Sequence, residues 1–165
     1  MSVPVETLRT HLRYAAWASA RIVDAAAMLT PEELTRDFKS ADKHVLGTLT
    51  HVYAADRVWL GRIEGAPPGV FVDPAVDMHL AVLQQEWPAL MDRWLSWVAT
   101  VEDPARDLEY HDLRGNTHRT PLWQIVLHVV NHGTHHRGQA AAMIRAMGHT
   151  PPPLDLIRFY RDERR

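Results

Sequence analysis

Residues 120–147 read TPLWQIVLHVVNHGTHHRGQAAAMIRAM, and this segment indicates the architecture of the chain most directly. A threonine and a proline open it, apolar residues recur every three or four positions, and Gly148 follows its last residue. A hydroxyl cap, a proline in the first turn and a glycine stop are typical of the two ends of a helix. The pattern predicts one long amphipathic helix that Thr120 caps.

Three segments upstream carry the same helical periodicity. They span residues 5–28, 40–64 and 73–101. Ser40 or Asp42 is placed to cap the second of them. Pro88 lies inside the third, and we expect a kink there rather than a break, because the apolar periodicity continues across the proline. Four long amphipathic segments predict an all-α fold, a four-helix bundle.

The connections between these segments are short or of medium length. Residues 65–69 contain two prolines and two glycines and predict a loop. Residues 107–119 have some strand character and predict a small hairpin or an irregular loop before the last long helix. Residues 154–160 are apolar enough to pack back as a short helix. With no repeat and no low-complexity linker, residues 1–165 are predicted to form a single domain.

The composition excludes several classes of protein. The chain has 165 residues, a formal net charge of −2 and no cysteine, which excludes disulfides, thiolate zinc sites and a cysteine nucleophile. No basic stripe is present, so nucleic acid is not expected as a partner. No apolar stretch approaches the ~20 residues of a membrane span, and no signal peptide is evident. A cytoplasmic location without a membrane partner is expected.

Histidine is the unusual residue of this sequence: there are eleven, and four lie between His128 and His136. His132 and His136 are four positions apart on the last helix, about 40° apart around the axis and about 6 Å apart along it. Both rings can therefore converge on one ion. No glutamate follows the first histidine, so the HExxH pattern of zinc proteases is absent. Taken alone, the pair is equally compatible with two solvated side chains.

A third histidine strengthens the metal hypothesis. His51 lies in the middle of the second helix on its inward stripe, where an imidazole needs a partner once the bundle closes. Together with His132 and His136 it predicts a three-histidine site for one divalent metal ion. His128 is open to three interpretations: an outer partner of the ligands, a fourth ligand, or a core histidine. Gln139 lies on the ligand face and is a candidate to hydrogen-bond a substrate or a metal-bound water.

Two segments resemble the hallmarks of the DinB/YfiT-like superfamily. Residues 128–139, HVVNHGTHHRGQ, resemble its signature, and residues 49–60, LTHVYAADRVWL, resemble its histidine followed by Ala-Asp and Trp. The resemblance implies a four-helix bundle of up-down-down-up topology, often dimeric, so a homodimer is expected. It implies a metal held by three histidines, which are His51, His132 and His136 at the matching positions. It implies neither DNA binding nor polymerase activity.

The resemblance also implies a chemistry. Members of the superfamily with known activities are largely S-transferases that use a low-molecular-weight thiol such as bacillithiol, mycothiol or glutathione. Zinc is the first expectation for the metal, with nickel, iron and manganese as alternatives, because imidazole binds all of them. The leading hypothesis is transfer of a thiol cosubstrate to an electrophilic small-molecule substrate. The alternatives are a metal-dependent hydrolase and a non-catalytic stress-response protein whose ion only holds the helices together.

Overall fold

The computed structural model describes residues 3–66 and 70–164 and is built mainly from helices. In chain order the elements are α1 (Val5–Ala26), α2 (Pro31–Leu34), α3 (Val45–Ile63), α4 (Pro74–Asp77), α5 (Leu80–Val98), β1 (Asp107–His111), β2 (Thr117–Pro121), α6 (Leu122–Ala146) and α7 (Leu156–Asp162). The four predicted long helices are α1, α3, α5 and α6. Of the predicted loop 65–69, residues 67–69 lie outside the described residues.

A small sheet separates α5 from α6. Strands β1 and β2 pair antiparallel, with Asp107 opposite Pro121 and His111 opposite Thr117. Gly115 turns the chain between them with a φ of 84°, a conformation that favours glycine. The predicted hairpin is confirmed. The prediction of an all-α fold is wrong in this respect, because aromatic and β-branched residues here form a backbone ladder instead of a helix.

The long helices surround a shared core in which α5 and α6 each contact both α1 and α3. Contacts between α3 and α6 run in opposite directions along the two helices: Thr48 with Met143, and Trp59 with His128. Contacts between α3 and α5 run in the same direction: Tyr53 with Trp87, and Glu64 with Arg93. For these three helices the directions agree with the down-down-up order expected from the resemblance. No helix within residues 3–66 and 70–164 combines the length and apolarity needed to cross a membrane.

The start of α3 differs from the prediction. His44 is the cap, and its Nδ1 accepts a hydrogen bond of 2.9 Å from the backbone N–H of Gly47. Ser40 and Asp42 do not cap the helix, because the chain turns sharply before it, with Lys43 at a φ of 62°. A Cβ at Gly47 would lie 2.4 Å from the carbonyl oxygen of Asp42. Gly47 therefore lets the preceding turn lie directly on the first turn of α3.

The start of α6 also differs. Thr120 belongs to β2 and pairs with Leu108, so its predicted capping role is wrong. The strand runs directly into the helix, and the first helical N–H groups donate instead to backbone carbonyls of the preceding segment: Leu122 to Arg106, and Trp123 to Pro104. At the other end, the predicted glycine stop is confirmed, since Gly148 has a φ of 91°.

The predicted third helix is interrupted just before the first residue of its apolar stripe. Residues Pro74–Asp77 form α4, and α5 begins only at Leu80. Asp77 is buried and accepts hydrogen bonds of 2.7 and 2.9 Å from the two Nη atoms of Arg57 on α3. This bidentate pair fixes α4 against α3. Pro88 does lie within a continuous α5, as predicted.

Two buried polar residues hold helices together. Asp56 of α3 is 3% exposed, and its Oδ2 accepts a hydrogen bond of 2.9 Å from Nε1 of Trp87 on α5. Burial raises the pKa of Asp56 to about 7. Arg137 of α6 is also buried and donates to the hydroxyl of Ser19 on α1. A Cβ at Gly133 would lie 2.5 Å from Arg137 Nη1, so this glycine makes room for the guanidinium. Asp56 and Arg137 therefore each join their own helix to a neighbouring one.

Candidate metal centre

Helices α3 and α6 bring the three predicted histidines together. His51 comes from the middle of α3, and His132 and His136 come from successive turns of α6. One ring nitrogen of each lies within 4.8 Å of a ring nitrogen of the other two. The ring centroids of His51 and His132 are each 4.5 Å from that of His136. The predicted convergence of the three rings is confirmed.

The spacing of the ring nitrogens fits a shared ion. Nε2 of His51 and Nε2 of His132 are 3.0 Å apart. Two nitrogens bound to one zinc ion at about 2.0–2.1 Å lie about 3.3 Å apart in a tetrahedral site and about 3 Å apart in an octahedral one. The distance between His51 and His132 is therefore that of two ligands of one ion, and the ligand nitrogens of all three rings lie within 4.8 Å of one another. In the metal-free chain, the same distance lets one ring donate a hydrogen bond to the other.

Burial keeps two of the rings in the form that binds metal. Burial lowers the pKa of His132 to about 4, and the neighbouring imidazoles act in the same direction. Burial, and then the charge of His51, also lowers the pKa of His136. Both rings are therefore neutral at pH 7, and neutral imidazole is the ligand form.

Asp42 lies behind the ligands and was missed as a site residue. Its Oδ1 is 3.6 Å from Nδ1 of His51, and its Oδ2 is 3.5 Å from Nδ1 of His136. A carboxylate facing Nδ1 favours the proton on that nitrogen, which leaves the lone pair on Nε2 for a metal. Asp42 thus places its carboxylate beside rings from both α3 and α6, at distances slightly longer than a hydrogen bond. The sequence offered only its position before a helix, which indicated a cap.

Gln139 serves the same ligand set. Its Oε1 accepts a hydrogen bond of 2.8 Å from Nδ1 of His136, and its Nε2 donates to Nε2 of His135 over 3.1 Å. Both ends of the amide are therefore engaged with histidines, and His136 is oriented by it. The contact between Gln139 and a substrate or a metal-bound water stays a prediction. His135 itself is exposed.

His128 is outside the triad. Its ring centroid lies 5.9 Å from that of His132 and 5.4 Å from the indole of Trp59. The residue is exposed, so the interpretation as a core histidine is wrong. Among the residues that the structure describes, the group with metal-binding geometry has three members, which leaves room for further ligands. The side chains of His51 and His136 are 28% and 15% exposed, so solvent reaches the centre.

Two antiparallel helices of a mainly helical fold hold three histidines close together. This arrangement defines a class of proteins that can bind one metal ion. The model of the DinB family matches residues 1–165, and the chain belongs to that family. Protein DinB of Bacillus subtilis (strain 168) is 24% identical over 149 residues, which cover 86% of this chain and 87% of that protein.

A solved structure has the same fold. The crystal structure of a DinB-like protein from Bacillus cereus ATCC 10987 matches with a TM-score of 0.71 and 20% identity. The match covers 93% of this chain and 99% of that one. The family resemblance noted in residues 49–60 and 128–139 is therefore confirmed.

Replacing Asp42 with asparagine is expected to weaken metal binding about 10–100-fold, the range for an outer carboxylate that orients a ligating histidine. The variant keeps the side-chain shape and removes the charge that favours protonated Nδ1. Competition with a chromogenic chelator measures the affinity. Asp37→Asn is the matched control in the same loop, because Asp37 is exposed and its ion-pair partner among the described residues is the nearby Lys39. Equal affinities for Asp42→Asn and the parent chain would remove this role.

Proposed function

We propose that this DinB-family chain is a metal-dependent enzyme that transfers a low-molecular-weight thiol to an electrophilic small molecule. The observation that carries the proposal is a triad of histidines, two of them held neutral, at a place that solvent reaches. Catalytic zinc sites commonly have three protein ligands and keep a further position open, whereas structural sites are closed by four. No fourth protein ligand is found among the described residues.

Each residue of the centre has a distinct task in this proposal. His51, His132 and His136 hold one divalent ion, zinc first and nickel, iron or manganese as alternatives. A bound divalent ion supplies Lewis acidity, which favours the deprotonated form of a thiol or of water at its open position. Asp42 and Gln139 fix the orientation of the rings. The ring of Phe71, 5.3 Å from that of His51, covers one flank of the centre with apolar surface.

The proposed transfer is a substitution at carbon. The sulfur of the thiol forms a bond to the electrophilic carbon, and the leaving group departs with the electron pair of the broken bond. The thiol proton passes to solvent, which the partly exposed centre admits. With a haloaromatic electrophile, the products are a thioether and a halide ion.

A thiol panel tests this function. Protein purified without a histidine tag and loaded with zinc is incubated with a haloaromatic electrophile and, separately, bacillithiol, mycothiol, glutathione or cysteine. We expect thioether formation with at least one thiol, well above the rates of metal-free protein and of His51→Ala. Conversion of the electrophile without loss of thiol would instead indicate a hydrolase. No conversion with any thiol would favour a protein whose ion is not catalytic.

The remaining expectations from the sequence stay predictions. They are a single domain, a homodimer, a cytoplasmic location, a small-molecule substrate, and no nucleic-acid or membrane partner. The stress-response role of the alternative function belongs with them.

A further inference from the structure

A groove of about 460 Å³ lies between the C-terminal half of α3 and the hairpin β1–β2. None of the three triad histidines lines it. Its charged lining consists of three arginines and three acids: Arg57, Arg62, Arg93, Glu64, Glu109 and Asp112. The groove is large enough for a molecule the size of a short peptide.

Almost all of these charges are matched within the protein. The ion pairs of the groove are Arg57 with Asp77, Arg93 with Glu64, and Glu109 with Arg119. Asp112 contacts His118, which carries a charge only when it is protonated. Arg62 differs, since it forms no ion pair with any described residue. The groove therefore contains one arginine without a direct ion-pair partner, although the charge of Asp112 acts on it from a greater distance.

Aromatic rings hold the Arg62 side chain in place. Its guanidinium carbon lies 4.4 Å from the ring centroid of Trp59 and 5.1 Å from that of Tyr110. The two rings are in turn 5.0 Å apart in a T-shaped contact. A guanidinium held by ring stacking keeps its N–H edge free, and that planar edge matches a carboxylate through two parallel hydrogen bonds. Arg62 is partly buried and has no direct ion-pair partner, so an anion that binds its free edge supplies one.

The groove adjoins the metal centre along the same face of α3. Arg62 follows His51 by eleven positions, which places it about 16–17 Å further along the helix axis. Between them, Trp59 contacts His128, whose ring is the neighbour of His132. Val70 lines the groove, and the next residue, Phe71, contacts the ring of His51. The groove and the centre therefore lie next to each other on α3, with the rings of Trp59 and His128 between them.

We propose that Arg62 binds a carboxylate of the thiol cosubstrate and holds it in the groove with its sulfur directed toward the triad. This inference rests on the proposed function for the identity of the ligand. The inference also predicts which thiols bind, because glutathione and bacillithiol carry free carboxylates and mycothiol carries none. Arg62 is a binding residue in this arrangement and does not touch the reacting atoms.

Binding of S-methylglutathione to the full-length, metal-free protein tests the proposal without any turnover. Calorimetry should give a dissociation constant roughly 10–100-fold higher for Arg62→Met than for the parent chain, the range for a lost charge-assisted hydrogen bond. Arg62→Lys should fall between them, because it keeps the charge and loses the planar edge. Arg93→Met is the matched control in the same groove and should change the constant by less than about twofold, because Arg93 pairs with Glu64 at the surface.

The dimethyl ester of the same probe supplies the second comparison, since it keeps the shape and loses both carboxylates. The parent chain should bind the ester as weakly as Arg62→Met binds the free acid, and thermal unfolding confirms that the variants are folded. Three results would each overturn the proposal: no binding of the acid by the parent chain, equal binding of acid and ester, or equal binding by the parent chain and Arg62→Met. A failed thiol panel leaves this test unaffected, because the probe is inert and the metal is absent.

Discussion

His132→Ala is expected to abolish stoichiometric metal binding. His132 is the ring whose Nε2 lies 3.0 Å from that of His51, so its removal takes away one of the three predicted ligands. The loss of metal affinity should exceed the about 10–100-fold loss that follows when a residue that only orients a ligand is replaced. His51→Ala should have the same effect although it changes the other helix. Elemental analysis of protein purified without a histidine tag gives the metal content per chain.

His135→Ala is the control for this loss. His135 is the sequence neighbour of His136 but is exposed and does not belong to the triad. We expect this variant to keep the metal content of the parent chain, and circular dichroism shows whether all three variants are folded. Retention of one ion per chain by both His51→Ala and His132→Ala would show that the triad is not the metal site.

Trp87→Ala is expected to lower the free energy of unfolding by about 3–5 kcal/mol, the range for truncating a buried aromatic side chain. Trp87 is 1% exposed and joins α5 to α3 through its hydrogen bond to Asp56. The truncation leaves a cavity and a buried carboxyl group without its N–H donor. Chemical denaturation, followed by circular dichroism, measures the change.

Two milder variants separate the energetic cost of the cavity from that of the lost hydrogen bond. Trp87→Phe keeps most of the ring volume and removes the N–H, so we expect a loss of about 1–3 kcal/mol. Trp97→Phe, on the same helix but half-buried, should cost less than about 1 kcal/mol. If Trp87→Ala were no more destabilising than Trp97→Phe, the bond to Asp56 would contribute nothing to the fold.

The long helices were predictable because their apolar residues repeat with the period of the α-helix. Their starting points were not, since tertiary contacts decide them. Ser40 and Asp42 have the side chains of helix caps, yet the turn before α3 gives that position to His44. Thr120 has a capping hydroxyl, yet backbone pairing in the hairpin extends through it to Pro121. In each case a contact made outside the helix determines the conformation of the residue, so the residue does not cap the helix.

The convergence of the three candidate metal ligands was predictable for a different reason. His51 and His132 interrupt the apolar stripes of their helices. Several polar groups on inward helix faces indicate that these groups share a binding partner. The contribution of Asp42 was not predictable, because it depends on a turn whose shape requires Lys43 at positive φ and a glycine at position 47. The sequence shows these residues only as a polar connection. Residues that orient ligands from a neighbouring loop leave no periodic signal.

The triad joins parts of the chain that are far apart in sequence, since 81 positions separate His51 from His132. In the unfolded chain these rings are distant, so an ion that binds all three recognises the native state alone. By mass action, free ion at 100 times its dissociation constant would add about 2.7 kcal/mol to the free energy of unfolding. The fraction of folded chains would then follow the supply of the ion, so metal starvation would reduce the amount of native protein.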